Sequence, residues 1–209
     1  TVKLSQPIAR VERSNDKTWS VLSSRGECLG QYDWVVSTAP APQTHALFPS
    51  SFSAADELLR VQYNACHAVM FDFNQTEFKP SWDAAFVDNG SVLSWVADNA
   101  SKPGRTGELA MVALSDYTWS QQNLNSDKQA LYEHMLEAVS DLYGVSRSAL
   151  RFLSGHLWRY AQVVTEIPDD FMLDAEQNLL VCGEMFCGGR VEGAFLSAYR
   201  AMQALCEVI

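Results

Sequence analysis

The chain has 209 residues, 47% of them hydrophobic, and carries 25 acidic against 15 basic side chains for a formal net charge of −10. That length and composition suit one or two globular domains with a real core. The acidic balance, without any basic cluster, argues against nucleic acid or an anionic membrane surface as a partner. No apolar run is long enough to span a bilayer, and no signal-peptide pattern opens the chain. Five cysteines, Cys28, Cys66, Cys182, Cys187 and Cys206, are an odd and scattered set. They point to reduced thiols in a cytoplasmic protein rather than a disulfide framework.

Taken in order, Val2–Val11 alternates and reads as a strand, Asn15-Asp16 as a turn, and Thr18–Leu22 as the returning strand. Asp33–Thr38 has the continuous apolar centre Trp34-Val35-Val36 expected of a buried strand and suited to a parallel one. Short helices are predicted over Pro42–Leu47 and Ser53–Leu59. Tyr63–Phe73 alternates Ala65, His67, Val69, Phe71 and Phe73 on one face and reads as a strand. Further strands are expected at Ala84–Val87, Val92–Ala97 and Glu108–Leu114, split by an Asp88-Asn89-Gly90 turn and a loop over Asn99–Gly107. That hairpin signal implies an antiparallel sheet.

Ser126–Tyr143 has the spacing of an amphipathic helix, with Leu131, Met135, Ala138, Val139 and Leu142 on one face. Ser126 and Gln129 form a capping-box signature, and Gly144 suits the C-terminal cap. Phe152–Val164 reads as a strand that places His156, Trp158 and Tyr160 on one face and Arg159 on the other. That aromatic face suits stacking on a flat substrate, and equally ordinary sheet packing. Trp95 and His67 read as packing residues of the same sheet.

The stretch Asn178–Met202 is the most informative. An apolar strand (Leu179–Cys182) runs into Gly183 and Glu184, then the pair Gly188-Gly189, then a helix from Val191 to Cys206. A helix start behind glycines offers unpaired N–H groups to something electron-rich. Gly188, Gly189 and Gly193 allow close approach to the backbone, and Glu184 can accept hydrogen bonds from ligand hydroxyls. Arg190 reads either as an added positive charge there or as a surface arginine. Glu192 reads as a helix N-terminal acid favoured by the dipole. Cys182 and Cys187 flank the turn and read as a metal or redox pair or, in preference, as small packing residues beside a cofactor, since no other Cys or His pair completes a zinc set.

Gly183-Glu184, with Gly189-Arg190-Val191-Glu192-Gly193-Ala194, resembles the C-terminal flavin motif of the FAD-dependent amine oxidase superfamily. His156-Leu157-Trp158-Arg159-Tyr160-Ala161 is similar to the H-x-W-R-Y-[AS] segment of its renalase-like members. Val2–Val11 and Asp33–Pro42 are similar to strands that in this superfamily pass along the cofactor, which places Ile8 at the adenine end. The resemblance implies an α+β fold with a partial FAD-binding domain over 1–45 and 170–209. An antiparallel-sheet substrate domain over 46–169 would cover the flavin. It also implies cofactor contacts at Ile8, Gly183, Glu184, Gly189, Arg190, Val191, Gly193 and Ala194, and a substrate role for His156, Trp158 and Tyr160. Metal is not expected. The implied reaction is hydride transfer from an amine or a dihydronicotinamide-type ring to FAD, with reoxidation by oxygen.

One departure stands out. None of the eleven glycines forms the G-x-G-x-x-G of a dinucleotide-binding lobe. The chain starts at Thr1 in a strand, so a preceding lobe of roughly a hundred residues is expected. By itself the chain should bind FAD weakly or not at all and be inactive, and surface bared by the missing lobe should favour self-association. Two other readings compete: another flavin oxidase or desaturase on the same scaffold, and an acidic binding module with no flavin role. A helix end covered by the protein's own side chains would favour the last of these.

Overall fold

The computed structural model describes residues 1–74, 81–88, 90–105 and 110–209. In chain order the elements are β1 (Ile8–Arg13), β2 (Trp19–Ser23), β3 (Cys28–Tyr32), β4 (Val35–Ser37), α1 (Ala41–Leu47), α2 (Ala55–Leu58), β5 (Gln62–Phe73) and β6 (Ala84–Phe86). They continue with β7 (Leu93–Asp98), β8 (Met111–Ser115), α3 (Tyr117–Gln122), α4 (Lys128–Tyr143), β9 (Leu150–Thr165), β10 (Met172–Asp174), β11 (Leu179–Val181) and α5 (Arg190–Val208). The fold is α+β and divides into two units, Thr1–Tyr63 with Gln162–Ile209, and Asn64–Ala161.

The first unit joins the two ends of the chain. It holds the antiparallel meander β1-β2-β3 and a small mixed sheet in the order β10-β11-β4. β11 pairs parallel with β4, Leu179 opposite Val35 and Val181 opposite Ser37, and antiparallel with β10. A parallel pair needs cover on both faces. Leu179 and Val181 face a core with Trp19, Phe48, Phe52, Leu58, Met185 and Phe186. Leu180 faces Ala201 and Leu205 of α5. The buried Trp19 indole donates to the Gln177 carbonyl at 2.7 Å. Asp174, at the end of β10, accepts from the backbone N–H groups of Gln177 and Ser53. Burial pushes its carboxyl up, but these bonds outweigh that and hold it below the ordinary carboxylate value.

The second unit is a five-stranded sheet in the order β6-β7-β8-β5-β9, with α4 packed on it. β5 carries the predicted buried face, and Cys66, Ala68 and Asp72 are buried as well. Val69 and Phe71 meet Leu136, Met135 and Val139 of α4 in the core. Arg151 of β9 reaches Asp72 of β5 through Nε at 2.9 and 3.1 Å, with a further bond from its terminal nitrogen.

The predicted strands and helices recur with shifted ends. The first strand begins at Ile8 rather than Val2. Pro7 has no N–H and restricts the residue before it, while Ser5 has a positive φ of 57°. The α4 cap is Asp127, not Ser126. Its Oδ1 accepts from Ala130 N at 2.9 Å, whereas the Ser126 hydroxyl turns back to Asn123. The buried face of α4 includes Tyr132 and Leu136, while Leu142 is exposed. Gly144 closes the helix as expected, at φ 64°. β3, α3 and β10 are additions to the sequence reading. β3 lacks a clear apolar period, and α3 is capped by Asp116, whose carboxylate accepts from Trp119 N. The predicted turn at Asn89, and the predicted strand residues Glu108 and Leu109, lie outside the described residues. So do Thr106 and Gly107 of the predicted loop.

Candidate functional site

The C-terminal motif forms a continuous strand–turn–helix in the first unit. β11 ends at Val181, and Cys182 N donates to the Ser37 carbonyl of the neighbouring parallel strand. Gly183 N donates to Ser197 Oγ at 3.0 Å, so a buried hydroxyl of α5 fixes the start of the turn. The sequence reading missed Ser197, because its partner lies fourteen residues away and only the packing of α5 on β11 brings them together.

Glu184 follows. It is partly buried, and burial raises its carboxyl above the ordinary value. Among the described residues no protein donor meets that carboxylate. Seen in isolation a turn glutamate would be expected in full solvent, whereas this one is partly desolvated and keeps its acceptor capacity.

The turn then takes an uncommon course. Cys187, Gly188, Gly189 and Arg190 have successive φ values of 55°, 83°, 62° and 62°. For a non-glycine residue the left-handed region costs about 1–2 kcal/mol. Gly189, at φ 62° and ψ −159°, occupies a region essentially closed to side-chain-bearing residues. α5 starts at Arg190 with no side-chain cap. Gly189 N is used by Phe186 O, and Gly193 N by Gly189 O. The N–H groups of Arg190, Val191 and Glu192 therefore begin the helix without a protein acceptor among the described residues, and their side chains are exposed. Such a helix start attracts negative charge.

Gly193 serves a different purpose from the one expected. A Cβ there would lie 2.6 Å from the Cys187 carbonyl oxygen, so its close approach is to the chain's own turn. Ala194 is partly buried beside it. Arg190 is exposed. Ile8 begins β1 in the separate meander sheet.

In the second unit His156 and Trp158 share one face of β9, their rings 4.4 Å apart and edge to face. Both are exposed, Trp158 by 56%. Tyr160, two residues on, is partly buried, and Arg159 is exposed. His67 and Trp95 are packing residues. His67 is 1% exposed against Trp119 and Tyr132, and Trp95 meets Phe86 edge to face. All five cysteines are free. Among the described residues no cluster of His, Cys, Asp and Glu could hold a metal ion, and no helix is long and apolar enough to cross a membrane.

Comparison with known proteins follows the same outline. The family model described as flavin containing amine oxidoreductase matches residues 1–206. Among solved structures, the chain is similar to a protein from Exiguobacterium sp. that carries the name protoporphyrinogen oxidase. The two are 13% identical with a TM-score of 0.67, over 97% of this chain and 47% of that one. An oxidoreductase from Methanosarcina mazei is 14% identical with a TM-score of 0.62, over 95% and 49%. Cyclohexylamine oxidase from Brevibacterium oxydans is 14% identical with a TM-score of 0.62, over 98% and 48%. At such identities the likeness is one of fold. The chain spans about half the length of these structures.

Proposed function

The chain belongs to the flavin containing amine oxidoreductase family, and on that premise we propose that it forms part of an FAD-dependent oxidoreductase of renalase-like type. The observation that carries the reading is the uncapped start of α5 behind Gly188-Gly189, next to a partly desolvated Glu184 that no protein donor meets among the described residues. These groups fit a flavin nucleotide. Glu184 would accept from its hydroxyls, and the N–H groups of Arg190, Val191 and Glu192 would face its electron-rich edge. Bound FAD supplies the hydride acceptor.

In this reading the unit of Thr1–Tyr63 and Gln162–Ile209 is the partial FAD-binding domain, and Asn64–Ala161 the substrate domain. The exposed pair His156 and Trp158, with Tyr160, would offer an aromatic face to an amine or a dihydronicotinamide-type ring. Without a glycine-rich dinucleotide loop, the chain alone is expected to bind FAD weakly and to be inactive.

The test is a visible absorption spectrum of this chain joined to a glycine-rich dinucleotide-binding lobe, beside that of the chain alone. Flavin bands in the joined protein and none in the chain support the reading. A joined protein that stays colourless and ignores added FAD overturns it. Anaerobic bleaching by a dihydronicotinamide, but not by simple amines, would support the renalase-like assignment, and the reverse would replace it.

A further inference from the structure

The left-handed run at 187–190 is held from outside, and this points to residues that the cofactor motif does not contain. We propose that Glu166 and Asp170, in the connection from β9 to β10, are positioning residues that clamp this turn and so aim the start of α5. The proposal rests on the flavin reading for its purpose, though not for its geometry.

The anchoring is direct. Ile167 is buried in the core of the unit and its N–H donates to the Met185 carbonyl at 3.0 Å, tying the connection to the first half of the turn. On one side of that anchor, Glu166 Oε2 accepts from Gly188 N at 3.1 Å. On the other, Asp170 Oδ1 accepts from the Cys187 thiol at 3.3 Å and pairs with the Arg200 guanidinium. Arg200 lies nearly three turns along α5, so Asp170 joins the turn to the body of the helix it leads into. Two carboxylates thus hold adjacent residues of a run that a free chain would avoid.

The division of donors supports a positioning role. Glu166 takes the N–H of Gly188, which precedes the helix, and leaves those of Arg190, Val191 and Glu192 for a ligand. Burial and the neighbouring Asp170 carboxylate both raise the Cys187 thiol, so Cys187 stays protonated and able to donate.

The test compares Glu166→Ala, Glu166→Gln and Asp170→Ala in the full chain by amide hydrogen exchange. Glutamine keeps an oxygen acceptor for Gly188 N but removes the charge. In Glu166→Ala and Asp170→Ala the hydrogen-bonded amides of Gly188, Gly189 and Gly193 should exchange about tenfold faster, as loss of a hydrogen bond would allow. Those of β11 and of unit Asn64–Ala161 should not change, and Glu166→Gln should resemble the wild type. Unchanged exchange at Gly188, Gly189 and Gly193, or equal acceleration throughout the chain, overturns the clamp.

A second arm measures FAD affinity in the joined protein by flavin fluorescence. Glu166→Ala should weaken binding about tenfold, with Glu166→Gln restoring most of it. Tighter binding in Glu166→Ala would mean that the carboxylate competes with the ligand, and would overturn the positioning role. A wild type that binds no FAD fails the flavin reading, while the exchange arm still decides the clamp.

Discussion

At Glu184 the stability of the fold and the proposed flavin contact meet in one side chain. Its folded-state pKa lies above the ordinary 4.5 because burial disfavours the charge. The stability it contributes is therefore fully present below pH 4.5 and is lost as pH rises through the raised folded value. At neutral pH the ionised carboxylate is held at a cost. Glu184→Gln should unfold at equal or higher urea concentration than the wild type at pH 7, with that advantage shrinking at pH 4. In the joined protein it should bind FAD more weakly, having lost a charge-assisted acceptor. A Gln variant clearly less stable at pH 7 would show that the carboxylate is structurally satisfied. The place of Glu184 in a strand–turn–helix was legible because the motif around it is contiguous. Ser197, Glu166 and Asp170 were not, since each acts through a partner at least fourteen residues distant.

Among the elements, β5 shows how far periodicity carries. Its alternating face was legible, because a two-residue repeat follows from strand geometry alone. What the pattern left open is that His67 is sealed between Trp119 and Tyr132, with no close hydrogen-bond partner for either ring nitrogen among the described residues. Burial above all lowers its pKa from the ordinary 6.5; the backbone of Asn123 opposes this, and the charges of Lys128 and Arg159 act with burial. The unfolded chain therefore takes the proton first, and stability is lost as pH falls below 6.5 toward the folded value. Urea midpoints read by tryptophan fluorescence between pH 7 and pH 5 should drop for the wild type and flatten in His67→Leu. Parallel curves for the two proteins would assign the acid sensitivity to other groups. Element ends were less legible than element types. Ser126 and Asp127 are both good cap residues, and the geometry at Ala130 selected the carboxylate.

At the scale of the molecule, α5 presents two faces. Gly193, Ser197, Ala201 and Leu205 are buried. Val191, Phe195, Tyr199 and Met202 are 88%, 67%, 55% and 46% exposed at helical spacing, with the Phe195 and Tyr199 rings stacked. A continuous apolar stripe of this kind favours association, and we propose that isolated chains self-associate through it. Sedimentation velocity should show weight rising with concentration, and Phe195→Gln should shift the protein toward monomer. A wild type that stays monomeric at high concentration would sink the idea. By itself the sequence determined the α+β class, most strands and helices, and the strand–turn–helix with Glu184 and Gly189. Those features depend on local periodicity, glycine conformation and contiguous motif residues. Only the tertiary structure decided that Gly193 admits the chain's own turn rather than a ligand, that carboxylates from the β9–β10 connection hold the left-handed run, and that one face of α5 stays bare. Each of these depends on residues distant in sequence meeting in space, and local patterning carries no record of such meetings.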